Sequence, residues 1–305
     1  MDDLVKKDLE RQGYRFAGKH SAIKVCSWTK NSLKGEGVCY KQKFYGLNCH
    51  RCMQSSVSVI NCQHNCTFCW RSLEYTEPHQ VLNADKPSYV LDELLKQHKE
   101  FLMGLRGNKK VDQEMFKEAL DVKHVALSLS GDATLYPYLP ELIELIKSKG
   151  MTAFLVTNGQ QPEMLERCNA SQNYVTLPAP NPEVYEKVCK PYLKDGWERL
   201  LKSLDVLSGK DRSTIRLSLA KGMNACNVSE YAALIKKCNP KFVEVKAVMA
   251  VGYASFRMEY SDMLLHPEIK EFGSELAKEL GWKVVDEHER SRVVLLMKED
   301  VGKKL

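Results

Sequence analysis

The stretch Asn61-Cys62-Gln63-His64-Asn65-Cys66-Thr67-Phe68-Cys69-Trp70 carries three cysteines in ten residues, spaced Cys-x3-Cys-x2-Cys. Such spacing curls a short loop around one centre. Thiolates are soft ligands that suit iron–sulfur clusters and zinc, and a 4Fe–4S cluster has four irons to ligate. Three cysteines leave one iron without a protein ligand, free to bind a substrate. A structural zinc site is normally closed by a fourth ligand. His64 lies inside the loop, but two residues from Cys62 is an awkward reach. The plainer alternative is a zinc knuckle or three unrelated thiols. Ser56-Val-Ser-Val-Ile60 reads as a short buried strand, so the cysteines occupy the loop leaving its C-terminal end. In β/α barrels that is where chemistry is placed.

Outward from this loop, strands and helices alternate. Pro87 to Leu105 reads as a helix with Leu91, Leu94, Leu95, Phe101 and Leu102 on one face. Arg106 to Lys110 breaks it, and Asp112 to Leu120 forms a second, short helix. Strands follow at 124–130, 153–157, 174–177, 214–219 and 242–249. Helices are expected at 139–149, 182–189, 197–207 and 228–237. With Ser56–Ile60 that makes six strands in β/α alternation, which implies a parallel sheet. Six units are too few for a closed eight-stranded barrel. The expected fold is therefore α/β, a partial, open (β/α)6 barrel. A helix at 267–280 and strands at 282–285 and 292–297 form a small C-terminal α/β extension. The chain divides on this reading into an N-terminal extension (1–54), a core (55–260) and the C-terminal extension (261–305).

The composition is ordinary for a globular protein, with 44% hydrophobic and 28% charged residues among 305. No apolar run approaches membrane-spanning length and the N-terminus has no apolar signal core. A cytoplasmic protein is expected, with no membrane partner and as a monomer. Eleven cysteines are many, and seven fall between Cys26 and Cys69. Without a signal peptide, such crowding points to metal or cluster ligation rather than disulfides. The remaining four, Cys168, Cys189, Cys226 and Cys238, read as small core residues. The net charge of +6 permits a polyanionic partner without requiring one.

Four strand ends carry polar residues where a cofactor would lie. Ser130-Gly131-Asp132 follows the second strand; Gly131 lets backbone approach a ligand, and Asp132 can accept a hydrogen bond from an ammonium group. Thr157-Asn158-Gly159 follows the third strand, Ser218 lies on the fifth and Gly252 follows the sixth. Each alone is compatible with an ordinary β/α turn; together they support a shared site. Residues 26–54 lack clear periodicity. There Trp28, Tyr40, Phe44 and Tyr45 interleave with Lys30, Lys34, Lys41, Lys43 and Arg51. Aromatics stack on bases and cations neutralise phosphates, so the mixture suits a nucleic-acid surface. The alternative is a solvated basic loop whose aromatics pack on the barrel.

The triplet Cys62, Cys66, Cys69 resembles the signature of the radical S-adenosylmethionine (SAM) superfamily. The resemblance implies a 4Fe–4S cluster whose open iron chelates SAM. It places Phe68 near the adenine, Ser130-Gly131-Asp132 at the SAM amino group and Thr157-Asn158 at the ribose. Here Ser and Asp stand where the superfamily's Gly-Gly-Glu motif has its first Gly and its Glu. Further motifs resemble the tRNA 4-demethylwyosine synthase family in its archaeal stand-alone form. These are residues 34–46 with Cys26 and Cys52, Ser-Leu-Ser-Gly-Asp-Ala-Thr-Leu-Tyr-Pro (128–137), Val-Lys-Ala-Val-Met-Ala-Val-Gly-Tyr (245–253) and Asp-Glu-His-Glu-Arg-Ser-Arg-Val-Val-Leu-Leu (286–296).

That resemblance implies a second 4Fe–4S cluster on Cys26, Cys39 and Cys52. It implies as partners pyruvate, phenylalanine tRNA carrying N1-methylguanosine 3′ of the anticodon, and a reductant. Reductive cleavage of SAM would give a 5′-deoxyadenosyl radical that takes hydrogen from the N-methyl group, and the carbon radical would add to pyruvate. Lys41 is expected either to form a Schiff base with the keto carbon or to contact a phosphate. Cys49, three residues before Cys52, is a possible fourth thiolate for the second cluster or for a zinc site with Cys26 and Cys39. Rival readings are another radical SAM RNA-modifying enzyme with a structural auxiliary cluster, and a non-catalytic iron–sulfur RNA-binding or redox-sensing protein.

Overall fold

The computed structural model describes residues 1–305. Ten strands form one sheet: β1 (Arg15–Ala17), β2 (Ser21–Ile23), β3 (Cys52–Ser56), β4 (His124–Leu127), β5 (Thr152–Thr157), β6 (Gln172–Thr176), β7 (Ser213–Leu219), β8 (Phe242–Ala247), β9 (Lys283–His288) and β10 (Val293–Met297). Their order is β1-β2-β3-β4-β5-β6-β7-β8-β10-β9. β3 to β8 are parallel neighbours, as the six-unit expectation required. The flanking pairs are antiparallel.

The helices are α1 (Asp3–Arg11), α2 (Ser27–Leu33), α3 (Tyr40–Tyr45), α4 (Pro87–Met103), α5 (Gln113–Ala119), α6 (Leu139–Ser148), α7 (Pro162–Arg167), α8 (Pro182–Cys189), α9 (Gly196–Ser208), α10 (Val228–Cys238) and α11 (His266–Leu280). Helix α6 shows why the pattern was readable. Leu139, Leu142, Ile143 and Ile146 are buried at helical spacing against the sheet, and Pro140 lies in its first turn. No helix is long and apolar enough to cross a membrane.

Three expectations need correction. The first core strand is not Ser56–Ile60 but Cys52–Ser56, and it runs through the expected boundary at residue 54. Residues 57–60 leave the strand as bends and turns, closed by Asn61 N–H donating to the Ser58 carbonyl at 3.0 Å, and the hydroxyls of Ser56 and Ser58 donate to the carbonyls of Ser130 and Asp132. Second, segment 26–54 is not one irregular loop. It holds α2, α3 and a short 3-10 turn at Cys49–Arg51. Third, three of its four aromatics are not surface groups. Tyr40, Phe44 and Tyr45 are buried with Ala126, Phe154, Tyr174 and Phe242, so α3 fills the concave inner face of the sheet. The cations beside them are largely spoken for. Lys43 pairs with Asp286 at 3.1 Å, Lys34 approaches Glu36 at 3.9 Å, and Arg51 pairs with Asp121.

Candidate active site

The cysteine loop 62–69 is held from three sides. On one, Asp132 N–H donates to the Asn61 carbonyl at 2.7 Å, and Gly131 lies so close that a Cβ there would meet the Ser58 carbonyl oxygen at 1.7 Å. Gly131 has φ +64°, a conformation that glycine adopts without steric cost. Its smallness thus admits the backbone of Ser58 and Asn61 that leads into the cysteine loop. On the second side, Asn65 and Thr67 donate to the carbonyls of Cys189 and Val188 at the end of α8, at 3.0 and 2.9 Å. On the third, the segment after β8 closes over the loop. Tyr253 N–H donates to the Trp70 carbonyl at 3.0 Å. The guanidinium of Arg257 donates to the carbonyls of Thr67, Cys69 and Arg71. Gly252, at φ +57°, leaves room for the Trp70 carbonyl, which a Cβ would approach to 2.8 Å.

The expected cofactor residues gather at this edge. Asn158 Nδ2 donates to Cys62 Sγ at 3.5 Å. Phe68 packs beside Ala220, Val248 and Met258. Ser218 is half-buried on β7, and Asn224 Nδ2 donates to its carbonyl at 2.8 Å. Ser130 is buried with an unpartnered hydroxyl. The Asp132 carboxylate faces inward. It accepts from Thr134 N–H (3.0 Å), from Thr157 Oγ1 (3.0 Å) and from Asn158 N–H (2.6 Å), which makes it a buttress between the ends of β4 and β5.

Sequence reasoning did not single out Arg71 or Arg257. Arg71 is buried and donates through Nε to Cys69 Sγ at 3.4 Å. Burial disfavours its charge, but the neighbouring sulfurs of Cys62, Cys69 and Cys66 outweigh that and raise its pKa above the usual arginine value. Cys189 was read as a core residue; it is one, but its sulfur lies against Cys66. The thiol of Cys66 is raised first by that contact and then by burial. His64, Cys66 and Cys189 are the one trio whose donor atoms lie within 4.8 Å of one another. His64 Nε2 is meanwhile hydrogen-bonded to Tyr185 Oη at 2.7 Å, which occupies the imidazole.

A second constellation lies deeper in the barrel. A cavity of about 480 Å³ is lined by Cys26, Cys39, Cys49, Cys52, Lys41 and Lys246, among others. Cys26 and Cys39 stand at the N-caps of α2 and α3, with no side-chain capping hydrogen bond from either. Burial pushes the thiols of Cys39 and Cys52 up to about 12. The four sulfurs contribute no trio within 4.8 Å. Tetrahedral zinc with bonds of ~2.3 Å needs sulfurs only ~3.8 Å apart. The all-thiol donor set suits an iron–sulfur cluster, and a four-cysteine zinc site shares it.

Lys41 Nζ sits over the rings of Phe154 (4.7 Å) and Tyr174 (4.6 Å) and has no carboxylate partner. Burial first, then the charge of Arg216, pushes its pKa below the usual lysine value. Arg216 is itself matched. It pairs with the fully buried Glu244 at 2.9 Å and donates to Tyr40 Oη at 2.9 Å. Lys246 Nζ donates to the carbonyls of Ser291 and Ala247, at 3.0 and 3.3 Å, and burial brings it down to about 8. The cavity therefore carries two amines without acidic partners, a lining that favours an anion. Ser128 on the cavity wall is two residues from Ser130, so β4 joins the two constellations.

Comparison with known proteins agrees with this geometry. The radical SAM superfamily pattern matches residues 57–235, and a pattern described as wyosine base formation matches residues 237–298. The S-adenosyl-L-methionine-dependent tRNA 4-demethylwyosine synthase of Pyrococcus abyssi is 43% identical over 99% of this chain and 90% of its own length. That of Methanocaldococcus jannaschii is 39% identical over 97% and 96%. A solved structure described as TYW1 with a lysine-pyruvate adduct bound is 38% identical, with a TM-score of 0.91, covering 100% of this chain and 98% of that one. A crystal structure of archaeal TYW1 is 34% identical, with a TM-score of 0.84 and full coverage of both chains. With the cysteine loop, the strand-end residues and the amine-bearing cavity in place, these relationships show that the chain belongs to the radical SAM family of tRNA 4-demethylwyosine synthases.

Proposed function

We propose that the protein converts N1-methylguanosine, 3′ of the anticodon of phenylalanine tRNA, into 4-demethylwyosine, using pyruvate as the source of two carbons. The observation that carries this reading is the amine of Lys41, unpaired and depressed in pKa, in a cavity with Cys26, Cys39 and Cys52. A relative of 38% identity is described with a lysine-pyruvate adduct, which supports Lys41 as the adduct-forming residue here. Cys62, Cys66 and Cys69 would hold one 4Fe–4S cluster and Cys26, Cys39 and Cys52 another. When bound, the first cluster and SAM supply a 5′-deoxyadenosyl radical, and a reductant provides the electron.

The chain's own residues do the rest. Neutral Lys41 adds to the keto carbon of pyruvate; a C=N bond forms and the keto oxygen leaves as water. Lys246 offers its remaining N–H to the pyruvate carboxylate. Phe154 and Tyr174 hold the amine over their rings, while burial lowers its pKa toward the neutral form that the addition needs. Phe68, Ser130, Gly131, Asp132, Thr157, Asn158 and Ser218 shape the SAM site, with Asp132 acting through Thr157 and Asn158. The target base leaves its stack to reach the cavity mouth, as with other enzymes that act on a base.

The test is anaerobic reconstitution with N1-methylguanosine-containing tRNA, SAM and carbon-labelled pyruvate, followed by nucleoside mass spectrometry. Labelled 4-demethylwyosine is the expected product. SAM cleavage without label in the base would instead favour another radical SAM modification of RNA.

A further inference from the structure

Arg71 is 6% exposed. Its hydrogen-bond partners are Cys69 Sγ at 3.4 Å and the Ile60 carbonyl at 3.5 Å, and no carboxylate is among them. A buried guanidinium without a counter-charge costs several kcal/mol. The chain could have relieved that cost with an acid, as it does for Arg216 with Glu244. At Arg71 the available anions are the cysteines themselves. The backbone beside it is held in place: Arg257 donates to the Arg71 carbonyl at 3.2 Å and to the carbonyls of Cys69 and Thr67. Arg71 thus points a permanent cation at a cysteine sulfur from two residues beyond the last of the three ligands.

A cluster on three thiolates is an anion, and reduction adds one more negative charge. Net charge, hydrogen bonds to the sulfurs and solvent exposure set the potentials of such clusters. Arg71 contributes through the first two, in the same direction. Its charge and its N–H···S contact stabilise the reduced state more than the oxidised one. We propose that Arg71 is the residue that raises the reduction potential of the cluster on Cys62, Cys66 and Cys69. It is a positioning residue, acting through Cys69 and not on the substrate. The proposal rests on the reading of those three cysteines as cluster ligands.

The experiment uses the full-length chain with Cys26, Cys39 and Cys52 replaced by Ala, so that one cluster is observed. Reconstituted protein is poised anaerobically with redox mediators, without SAM or tRNA. The reduced fraction is read by electron paramagnetic resonance for the parent, Arg71→Lys and Arg71→Met. At a fixed potential, Arg71→Met is expected to lower the reduced-to-oxidised ratio about tenfold, equivalent to ~59 mV for one electron. Arg71→Lys, which keeps the charge, should recover part of that loss. If Arg71→Met binds no iron, Arg71→Gln carries the same measurement. An unchanged potential in a neutral variant with full iron content overturns the proposal. A parent protein that takes up no cluster would instead refute the ligand assignment itself.

Discussion

Asn158 donates its backbone N–H to the Asp132 carboxylate at 2.6 Å, while its side-chain amide reaches Cys62 Sγ. One residue therefore links a buried acid to a thiol of the three-cysteine loop. Removing the acid leaves the Asn158 and Thr134 N–H groups and the Thr157 hydroxyl without their acceptor, each at a cost of roughly 1–3 kcal/mol. Asp132→Ala should lose about 3 kcal/mol or more in denaturant unfolding and retain less iron per chain. Asp132→Asn, which keeps the shape but turns an acceptor into a donor, should fall between. A fully stable Asp132→Ala that lost only SAM affinity would show that the carboxylate serves the ligand and not the loops.

Lys41→Arg keeps a basic side chain over Phe154 and Tyr174 but cannot form an imine. Borohydride reduction in the presence of pyruvate should add mass to the tryptic peptide containing Lys41 in the parent and none in the variant. Tricyclic base formation should drop by roughly two orders of magnitude, the scale of a misplaced reacting group. Reductive SAM cleavage should continue. Equal trapping in Lys41→Arg would move the adduct to another lysine, with Lys246 the first to examine.

Lys246 makes stability depend on pH in a calculable direction. Its pKa is about 8 in the folded chain and 10.5 as the ordinary value. Between those values the unfolded chain holds a proton that the folded chain has released, so stability rises with pH across that window. Below about pH 8 both states are protonated and the burial cost is fully present. Lys246→Met should flatten the rise between pH 8 and 9.5 in urea unfolding curves. An identical slope in parent and variant would mean that the amine keeps its proton in the cavity.

Cys49 shares the cavity with the three expected ligands, yet its sulfur has protein partners of its own. It accepts Cys39 N–H at 3.4 Å and approaches the Trp28 carbonyl at 3.9 Å. Serine can replace both contacts. Cys49→Ser should therefore retain eight irons per chain, as two 4Fe–4S clusters require, and still form the tricyclic base. Cys52→Ala should lose one cluster and the product. The reverse pattern, with iron lost in Cys49→Ser and kept in Cys52→Ala, would exchange the two assignments.

The core of the fold was readable because its signals are local. Alternating runs such as Thr214–Leu219, and helical faces such as Leu139 to Ile146, each declare a period within a few residues. The triplet was readable for the same reason, since its ligands are fixed by spacing. The β1–β2 hairpin was missed because its strands are three residues long, too short to show alternation. Helices α2 and α3 were missed because seven and six residues, capped by Cys26 and Cys39 and not by Ser, Thr, Asp or Asn, carry little helical signal.

The sequence by itself determined the β/α alternation, the three-cysteine loop and the strand-end residues, because each depends on neighbours along the chain. Only the tertiary structure decided what the remaining polar groups face. It turned Tyr40, Phe44 and Tyr45 into the filling of the barrel and set Lys41 and Lys246 in a cavity without an acid. It also directed Asp132 to Asn158 and Arg257 to the carbonyls of Thr67 and Cys69. The physical reason is that burial and charge depend on partners distant in the chain. Asp132 and Asn158 are 26 residues apart, and Lys41 finds its two rings on β5 and β6, so no local pattern encodes either environment.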